Sequence, residues 1–238
     1  MIPRRRPSPN HNPRPAPGRV DMLVLHYTGM KTATEAIDRL CDPAAKVSSH
    51  YVVDEDGTVW QLVEESERAW HAGESFWQGT RDVNGTSIGI EIVNPGHEWG
   101  YRPFPEPQMA AVETLARGIL GRHAIPADRV VGHSDVAPGR KQDPGELFDW
   151  RRLAKAGVGL WPEAAPAATV TVAEAQRLLR GIGYDAPDSK TSDAATRLVL
   201  TAFQRRFRPS RCDGALDDET AARLSAVARA VTALRSSR

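Results

Sequence analysis

The chain has 238 residues, a formal net charge of +1 and a hydrophobic fraction of 40%. That is ordinary for a soluble globular protein, with room for one medium domain and a small one. No apolar run approaches a transmembrane segment, and the two cysteines, Cys41 and Cys212, are too few for a disulfide framework, so free thiols are expected.

Residues 1–19 hold six prolines and five arginines with no acidic residue. They read as an extended, partly disordered arm. The arm has no apolar core and so is no secretory signal as written, which favours the cytoplasm; a missing leader would place the protein in the periplasm or cell envelope. Arg4-Arg5-Arg6 reads as solvated. No aromatic or groove-binding pattern accompanies it, so no nucleic-acid partner is expected.

Residues 20–160 alternate between strand and helix signals. Met22 to His26, His50 to Val53, Val59 to Val63, Ile88 to Val93 and Arg129 to Gly132 are predicted strands, with a hairpin turn at Asp54-Glu55-Asp56-Gly57. Thr34 to Cys41 and Glu106 to Arg122 are predicted helices. In the second, Met109, Val112, Leu115, Ala116, Ile119 and Leu120 share one face, and Pro105 and Pro107 mark its start. The expected fold is α/β, a mixed central sheet flanked by helices.

Residues 161–170 are rich in Pro and Ala and read as a linker that few contacts should cross, leaving each part able to fold alone. Residues 171–238 form a small all-α domain with three predicted helices: Val172 to Leu179, Ala194 to Phe207 and Asp218 to Val231. Residues 166–238 carry 12 basic and 8 acidic residues, whereas 20–165 carry 14 and 22. A basic module beside an acidic domain suits a polymer bearing carboxylates.

The chemistry concentrates in His133-Ser134-Asp135-Val136-Ala137-Pro138-Gly139-Arg140-Lys141-Gln142-Asp143-Pro144-Gly145. His133 and Asp143 are ligand types for a borderline divalent metal, and zinc fits best. Lys141 lies two residues before Asp143. In an extended segment that spacing points both side chains one way, and a cation there suits a developing oxyanion. A catalytic zinc has three protein ligands and one open position. His26, closing the apolar strand Leu23-Val24-Leu25, is the best third ligand. Glu91 interrupts the β-branched strand Ile88-Gly89-Ile90-Glu91-Ile92-Val93. Desolvation there raises its pKa and suits it to proton transfer. Taken singly, each of these residues has a plainer explanation as a core, edge or turn group; their combination is what points to a metal site.

Trp70, His71, Phe76, Trp77 and Trp99 fall between strands. They either roof a core or line a sugar- and peptide-binding cleft. Trp70, His71 and Trp77 are weak candidates for substrate contact, as are Arg81 and Asn84, which precede the Glu91 strand.

Leu25-His26-Tyr27-Thr28, Ala69-Trp70-His71-Ala72-Gly73, Ser87-Ile88-Gly89-Ile90-Glu91, His133-Ser134-Asp135 and Gly139-Arg140-Lys141-Gln142-Asp143-Pro144-Gly145 together resemble the type 2 N-acetylmuramoyl-L-alanine amidases. The match runs from about Val20 to Trp161 in motif order. The resemblance implies zinc on His26, His133 and Asp143, one ion per chain, with Glu91 as acid-base residue and Lys141 as stabiliser of the tetrahedral intermediate. Ser49 stands where phage-type and recognition-protein members carry a tyrosine, and Asp143 where phage-type members carry a cysteine. Both point to the recycling branch.

Ala175-Gln176-Arg177-Leu178-Leu179, Gly183-Tyr184, Ala202-Phe203-Gln204-Arg205-Arg206 and Asp213-Gly214-Ala215-Leu216-Asp217 resemble the three-helix peptidoglycan-binding module of wall hydrolases. Its usual Asp-Gly turn is missing from the first inter-helix loop, Asp185 to Thr191.

The resemblance implies hydrolysis of the amide between the lactyl group of N-acetylmuramic acid, or its 1,6-anhydro form, and L-alanine. The expected partners are peptidoglycan or muropeptides, and a monomer is favoured. The alternatives are a peptidoglycan recognition protein and a zinc peptidase acting within the stem peptide. Intact candidate ligands argue against the first, and the absence of a helical zincin pattern argues against the second.

Overall fold

Alternation along two six-residue strands, β3 (Met22–Tyr27) and β7 (Ser87–Ile92), sends Leu23, Leu25, Ile88 and Ile90 to one face of the sheet and His26 and Glu91 to the other. The computed structural model describes residues 2–15, 18–163 and 169–237. Strands β1 (Arg4–Arg5), β4 (Tyr51–Val53), β5 (Val59–Gln61) and β8 (Val130–Gly132) complete a six-stranded sheet in the order β1-β5-β4-β7-β3-β8. Strands β4, β7, β3 and β8 run parallel, and β5 is antiparallel to β4. The sheet is mixed, as expected. The β4–β5 connection is the predicted hairpin, closed by Asp54 N–H on the Thr58 carbonyl at 2.9 Å.

Leu23 and Leu25 of β3 point to the same side as Ile88, Ile90 and Ile92 of β7 and Tyr51 and Val53 of β4. Helix α4 (Glu106–Arg122) covers that side with Met109, Val112, Leu115, Ala116 and Ile119, and α6 (Trp150–Lys155) adds Trp150 and Leu153. These apolar residues are all buried. On the opposite side α1 (Ala33–Cys41) packs Ile37 and Leu40 against Val52 and Leu62. Short helices α2 (Val83–Thr86), α3 (Gly96–Trp99) and α5 (His133–Val136) lie in the connections.

The N-terminal arm departs from expectation. Residues 4–5 pair with β5, and β2 (His11–Pro13) pairs with β6 (Glu67–Ala69) in a separate ribbon. The exposed edges of β5 and β6 offer unpaired backbone groups, which an extended arm satisfies without an apolar pattern of its own. Arg5 and Arg6 form exposed ion pairs with Glu64 and Asp38, both at 2.6 Å. Arg14 is buried and donates to the carbonyls of Asn84, Gly85 and Ser87 at 3.2, 3.0 and 2.8 Å. Burial pushes its guanidinium down to about 10. Of the arm, residues 1, 16 and 17 lie outside the described residues.

Helices α7 (Val172–Ile182), α8 (Ala194–Phe207) and α9 (Asp218–Ser236) form the C-terminal part, the first and last running further than predicted. Capping explains their starts: Thr171 and Glu174 cap each other at α7, while Asp193 and Asp217 cap α8 and α9. The expected scarcity of contacts across the boundary does not hold. Met22, Val24, Trp77, Val131 and Val136 share one buried cluster with Leu179, Tyr184, Phe203 and Leu224. The physical reason is the second side of the sheet, whose Met22, Val24 and Val131 need a cover that residues 20–160 supply only in part, through Trp77 and Val136. Residues 164–168, the middle of the expected linker, lie outside the described residues. Cys41 and Cys212 are both free. Among the described residues no helix is long and apolar enough to cross a membrane.

Candidate active site

Parallel register aligns the reactive groups. His26 on β3 is the Cα partner of Glu91 on β7, and Leu25 is the partner of Gly132, so His133 follows directly beside His26. Both strands end here, at the carboxyl edge where open parallel sheets place their sites. The Lys141–Asp143 loop returns to the same edge, tied by Ser134 N–H on the Asp143 carbonyl at 2.8 Å.

His26 Nδ1 lies 2.9 Å from His133 Nδ1, and each lies 3.0 Å from Asp143 Oδ2. All three side chains are buried, and this is the metal-ligand cluster found among the described residues. The far nitrogens are held. His133 Nε2 faces the Ala72 carbonyl at 3.0 Å and must donate to it, so that in the neutral ring Nδ1 carries the lone pair. His26 Nε2 meets His71 Nδ1 at 3.0 Å, and His71 Nε2 meets Ser87 Oγ at 3.1 Å. Protons passed outward along that chain leave His26 Nδ1 bare too. Burial, reinforced by His133, lowers the His26 pKa to about 4, so it stays neutral.

Two imidazole nitrogens and a carboxylate oxygen, converging within 3.0 Å of one another, form a donor set for a divalent cation. Tetrahedral zinc with bonds of about 2.0–2.1 Å would space its ligand atoms roughly 3.3 Å apart, slightly wider than the triangle here. Outward hydrogen bonds to a carbonyl and a second histidine are the support such ligands need.

The cluster floors a cavity of about 340 Å³. Glu91, Lys141, Trp70, His71, Tyr27, Arg39 and Arg140 line it. Glu91 Oε2 is enclosed without a hydrogen-bond partner among the described residues. Burial first, then the Asp143 charge, raises the Glu91 pKa well above the ordinary carboxylate value, with Lys141 opposing. The arrangement therefore supplies a carboxyl that holds its proton to a higher pH than an ordinary carboxylate, as a proton carrier must. It also places a cation, Lys141, at the cavity wall.

The weaker substrate candidates divide. Trp70 and His71 line the cavity. Trp77 does not; it is buried, its indole N–H donates to the Asp128 carbonyl at 3.0 Å, and its ring meets Tyr184 edge-on. Asn84 is buried as well, and its Oδ1 accepts from the His71 and Ala72 amides at 3.1 and 2.8 Å. It shapes the loop rather than touching a ligand. Arg81 is exposed, over the Phe76 ring and 3.5 Å from Asp185. For all three the short-range sequence pattern was silent on which side of the loop faces the cleft.

Sequence reasoning passed over Ser87 and Arg140. Ser87 shares a strand face with Glu91 at a spacing of four, two steps of the strand period, a signal that was available. Arg140 Nη2 donates to the Ala72 and Glu74 carbonyls, both at 2.6 Å, which no local pattern announces. Gly89 lies between Ser87 and Glu91 on the same face of β7. A Cβ there would fall 2.6 Å from the His71 ring, so only glycine lets His71 reach His26.

The comparisons agree with this geometry. Residues 16–146 match the family model for N-acetylmuramoyl-L-alanine amidase, and residues 170–224 match a putative peptidoglycan binding domain. The N-acetylmuramoyl-L-alanine amidase AmiD of Escherichia coli is 39% identical over 226 residues, covering 86% of this chain and 80% of AmiD. The 1,6-anhydro-N-acetylmuramyl-L-alanine amidase AmpD of Haemophilus influenzae is 32% identical, over 61% of this chain and 86% of AmpD. Among solved structures, E. coli AmiD in complex with the substrate anhydro-N-acetylmuramic acid-L-Ala-D-γ-Glu-L-Lys superposes with a TM-score of 0.80, covering 89% of this chain and 90% of AmiD. AmpDh3 from Pseudomonas aeruginosa, 35% identical, gives 0.79, covering 91% and 94%. The family model spans both site strands and the ligand cluster, and the chain belongs to the N-acetylmuramoyl-L-alanine amidases.

Proposed function

We propose that this chain hydrolyses the amide bond between the lactyl group of N-acetylmuramic acid, or its 1,6-anhydro form, and the L-alanine of the stem peptide, using one zinc ion per chain. The observation that carries the reading is the triangle of His26, His133 and Asp143 beside Glu91 in one cavity. Residues 20–160 perform the catalysis in this reading, and 171–238 have the wall-binding fold, joined by 161–170. The anhydro form is supported by solved relatives. AmiD was captured with an anhydro-muramyl tripeptide and AmpDh3 with an anhydromuramic pentapeptide.

His26, His133 and Asp143 would hold the zinc ion, which would supply an acidified water and Lewis acidity at the scissile carbonyl. Glu91 accepts the proton released as water adds to that carbonyl. Lys141 places its charge by the developing oxyanion, where a low-dielectric cavity makes it count. Glu91 then returns the proton to the departing L-alanine nitrogen, since the amine leaves poorly as an anion. Trp70 forms part of the wall against which an apolar sugar face can pack.

Mass spectrometry of muropeptides digested by the full chain tests this. The expected products are the intact stem peptide, with a free L-alanine amine, and the peptide-free sugar. Fragments cut between amino acids would point to a stem-peptide peptidase instead.

A further inference from the structure

Asp135 lies two residues beyond His133 on α5 and is 1% exposed. Three donors converge on it. Its Oδ2 accepts the Gly132 backbone N–H at 2.8 Å and Arg206 Nη1 at 3.0 Å, and its Oδ1 accepts the Tyr184 hydroxyl at 2.6 Å. Gly132 immediately precedes His133. Arg206 and Tyr184 come from the C-terminal helical part, one on α8 and one just beyond α7.

Both donors are themselves fixed. The Arg206 guanidinium is buried over the Trp150 ring at 4.3 Å and the Phe207 ring at 4.8 Å. Tyr184 is buried edge-on to Trp77, ring centroids 4.9 Å apart. Gly132 is wedged in turn: a Cβ there would lie 2.8 Å from Pro144 and 3.3 Å from Trp150. The backbone entering His133 is thus pinned between the loop carrying Asp143 and a carboxylate anchored by the helical part.

We propose that Tyr184 and Arg206 are positioning residues for the metal centre, acting through Asp135 to hold the turn that presents His133. This rests on the reading of His26, His133 and Asp143 as zinc ligands. A buried ion pair contributes little net stability, because desolvation offsets its Coulomb gain; its better-attested use is to specify one geometry. Here the geometry specified is that of a ligand-bearing turn. The helical part therefore does more than tether: it completes the support of the active site.

The test uses the full chain with Tyr184→Phe, Arg206→Met, Asp135→Asn and the Arg206→Met/Asp135→Asn pair. Arg235→Met is the control. Arg235 bonds Asp128 at 2.9 Å across the same boundary without touching Asp135. Zinc Kd is measured by chelator competition, the cobalt(II) absorption spectrum at saturating metal, and Tm without metal. Tyr184→Phe and Arg206→Met are each expected to weaken zinc about tenfold, the lower end for groups that orient ligands, and to shift the cobalt bands. The paired variant should bind no more weakly than Asp135→Asn alone, because both act by one route. Arg235→Met should lower Tm and leave zinc affinity unchanged. Wild-type zinc Kd and cobalt bands in Tyr184→Phe, which loses a single oxygen and so should fold, would overturn the proposal. So would equal zinc weakening in Arg235→Met. A wild-type chain that binds no zinc would instead overturn the metal reading beneath it.

Discussion

His26 and Glu91 are Cα partners on adjacent parallel strands, and both side chains leave the sheet on the side opposite Leu25 and Ile90. One register step in either strand would move His26 or Glu91 into the apolar core. The reactive pair is therefore a consequence of the same pairing that buries Leu23, Leu25, Ile88 and Ile90.

His133→Ala removes one corner of the ligand triangle and leaves the other two as weak acceptors. The wild type is expected to hold about one zinc per chain by elemental analysis. The variant should hold almost none after dialysis and lose activity. Stoichiometric zinc in an active His133→Ala protein would show the ligand assignment to be wrong.

Glu91→Gln keeps the shape and removes the base. Zinc content should be unchanged while kcat falls by roughly a hundredfold or more. The raised pKa of Glu91 means that its carboxylate form appears only at a pH above the ordinary carboxylate range. The acid limb of the wild-type kcat/KM profile should therefore lie above that range, and Glu91→Gln should abolish it. A near-wild-type rate in the variant would move the proton role elsewhere, with His71 the first suspect.

A chain ending at Glu163 would expose Met22, Val24, Trp77, Val131 and Val136, which the C-terminal helices now bury. Such an apolar face favours association. The shortened protein is expected to aggregate, or to show a much lower Tm and strong dye binding to exposed apolar surface. Its activity should fall on small muropeptides as well as on intact wall. A soluble shortened protein with full activity on small substrates would argue that the helical part acts by tethering alone.

His50 is buried, and burial with Arg14 nearby lowers its pKa from 6.5 to about 3. A folded pKa below the unfolded one means that protons favour the unfolded chain. Its contribution is fully present above pH 6.5 and is lost as pH falls towards about 3. Urea unfolding of the metal-free protein across that window should show a stability slope that is shallower in His50→Gln. Parallel slopes for the two proteins would place the acid sensitivity in other groups.

Arg14→Met strips the donors from the buried carbonyls of Asn84, Gly85 and Ser87. Hydrogen bonds to a charged group are worth about 1.5–3 kcal/mol, and unpaired buried carbonyls add a penalty. A loss of about 3 kcal/mol in denaturant unfolding is expected. A change under about 0.5 kcal/mol, the range of ordinary surface substitutions, would mean that the arm is only loosely applied.

The sequence alone determined the parts of this protein whose signal is local. The apolar runs around Leu23 and Ile90, the helical face of 106–122 and the helix starts at Val172, Ala194 and Asp218 read directly, because each is decided by neighbours a few residues away. His26, Glu91, Lys141, His133 and Asp143 stood out because their types are costly in apolar or Gly/Pro-rich settings without a purpose. Tertiary structure alone decided what depends on distant partners. The arm became strand because β5 and β6 present open edges, which nothing in its prolines foretells. Trp77 and Asn84 turned inward because Asp128 and the His71 amide wait for them across the chain. The helical part docked because the second side of the sheet needed apolar cover, and only in that docked state do Tyr184 and Arg206 reach Asp135 beneath His133.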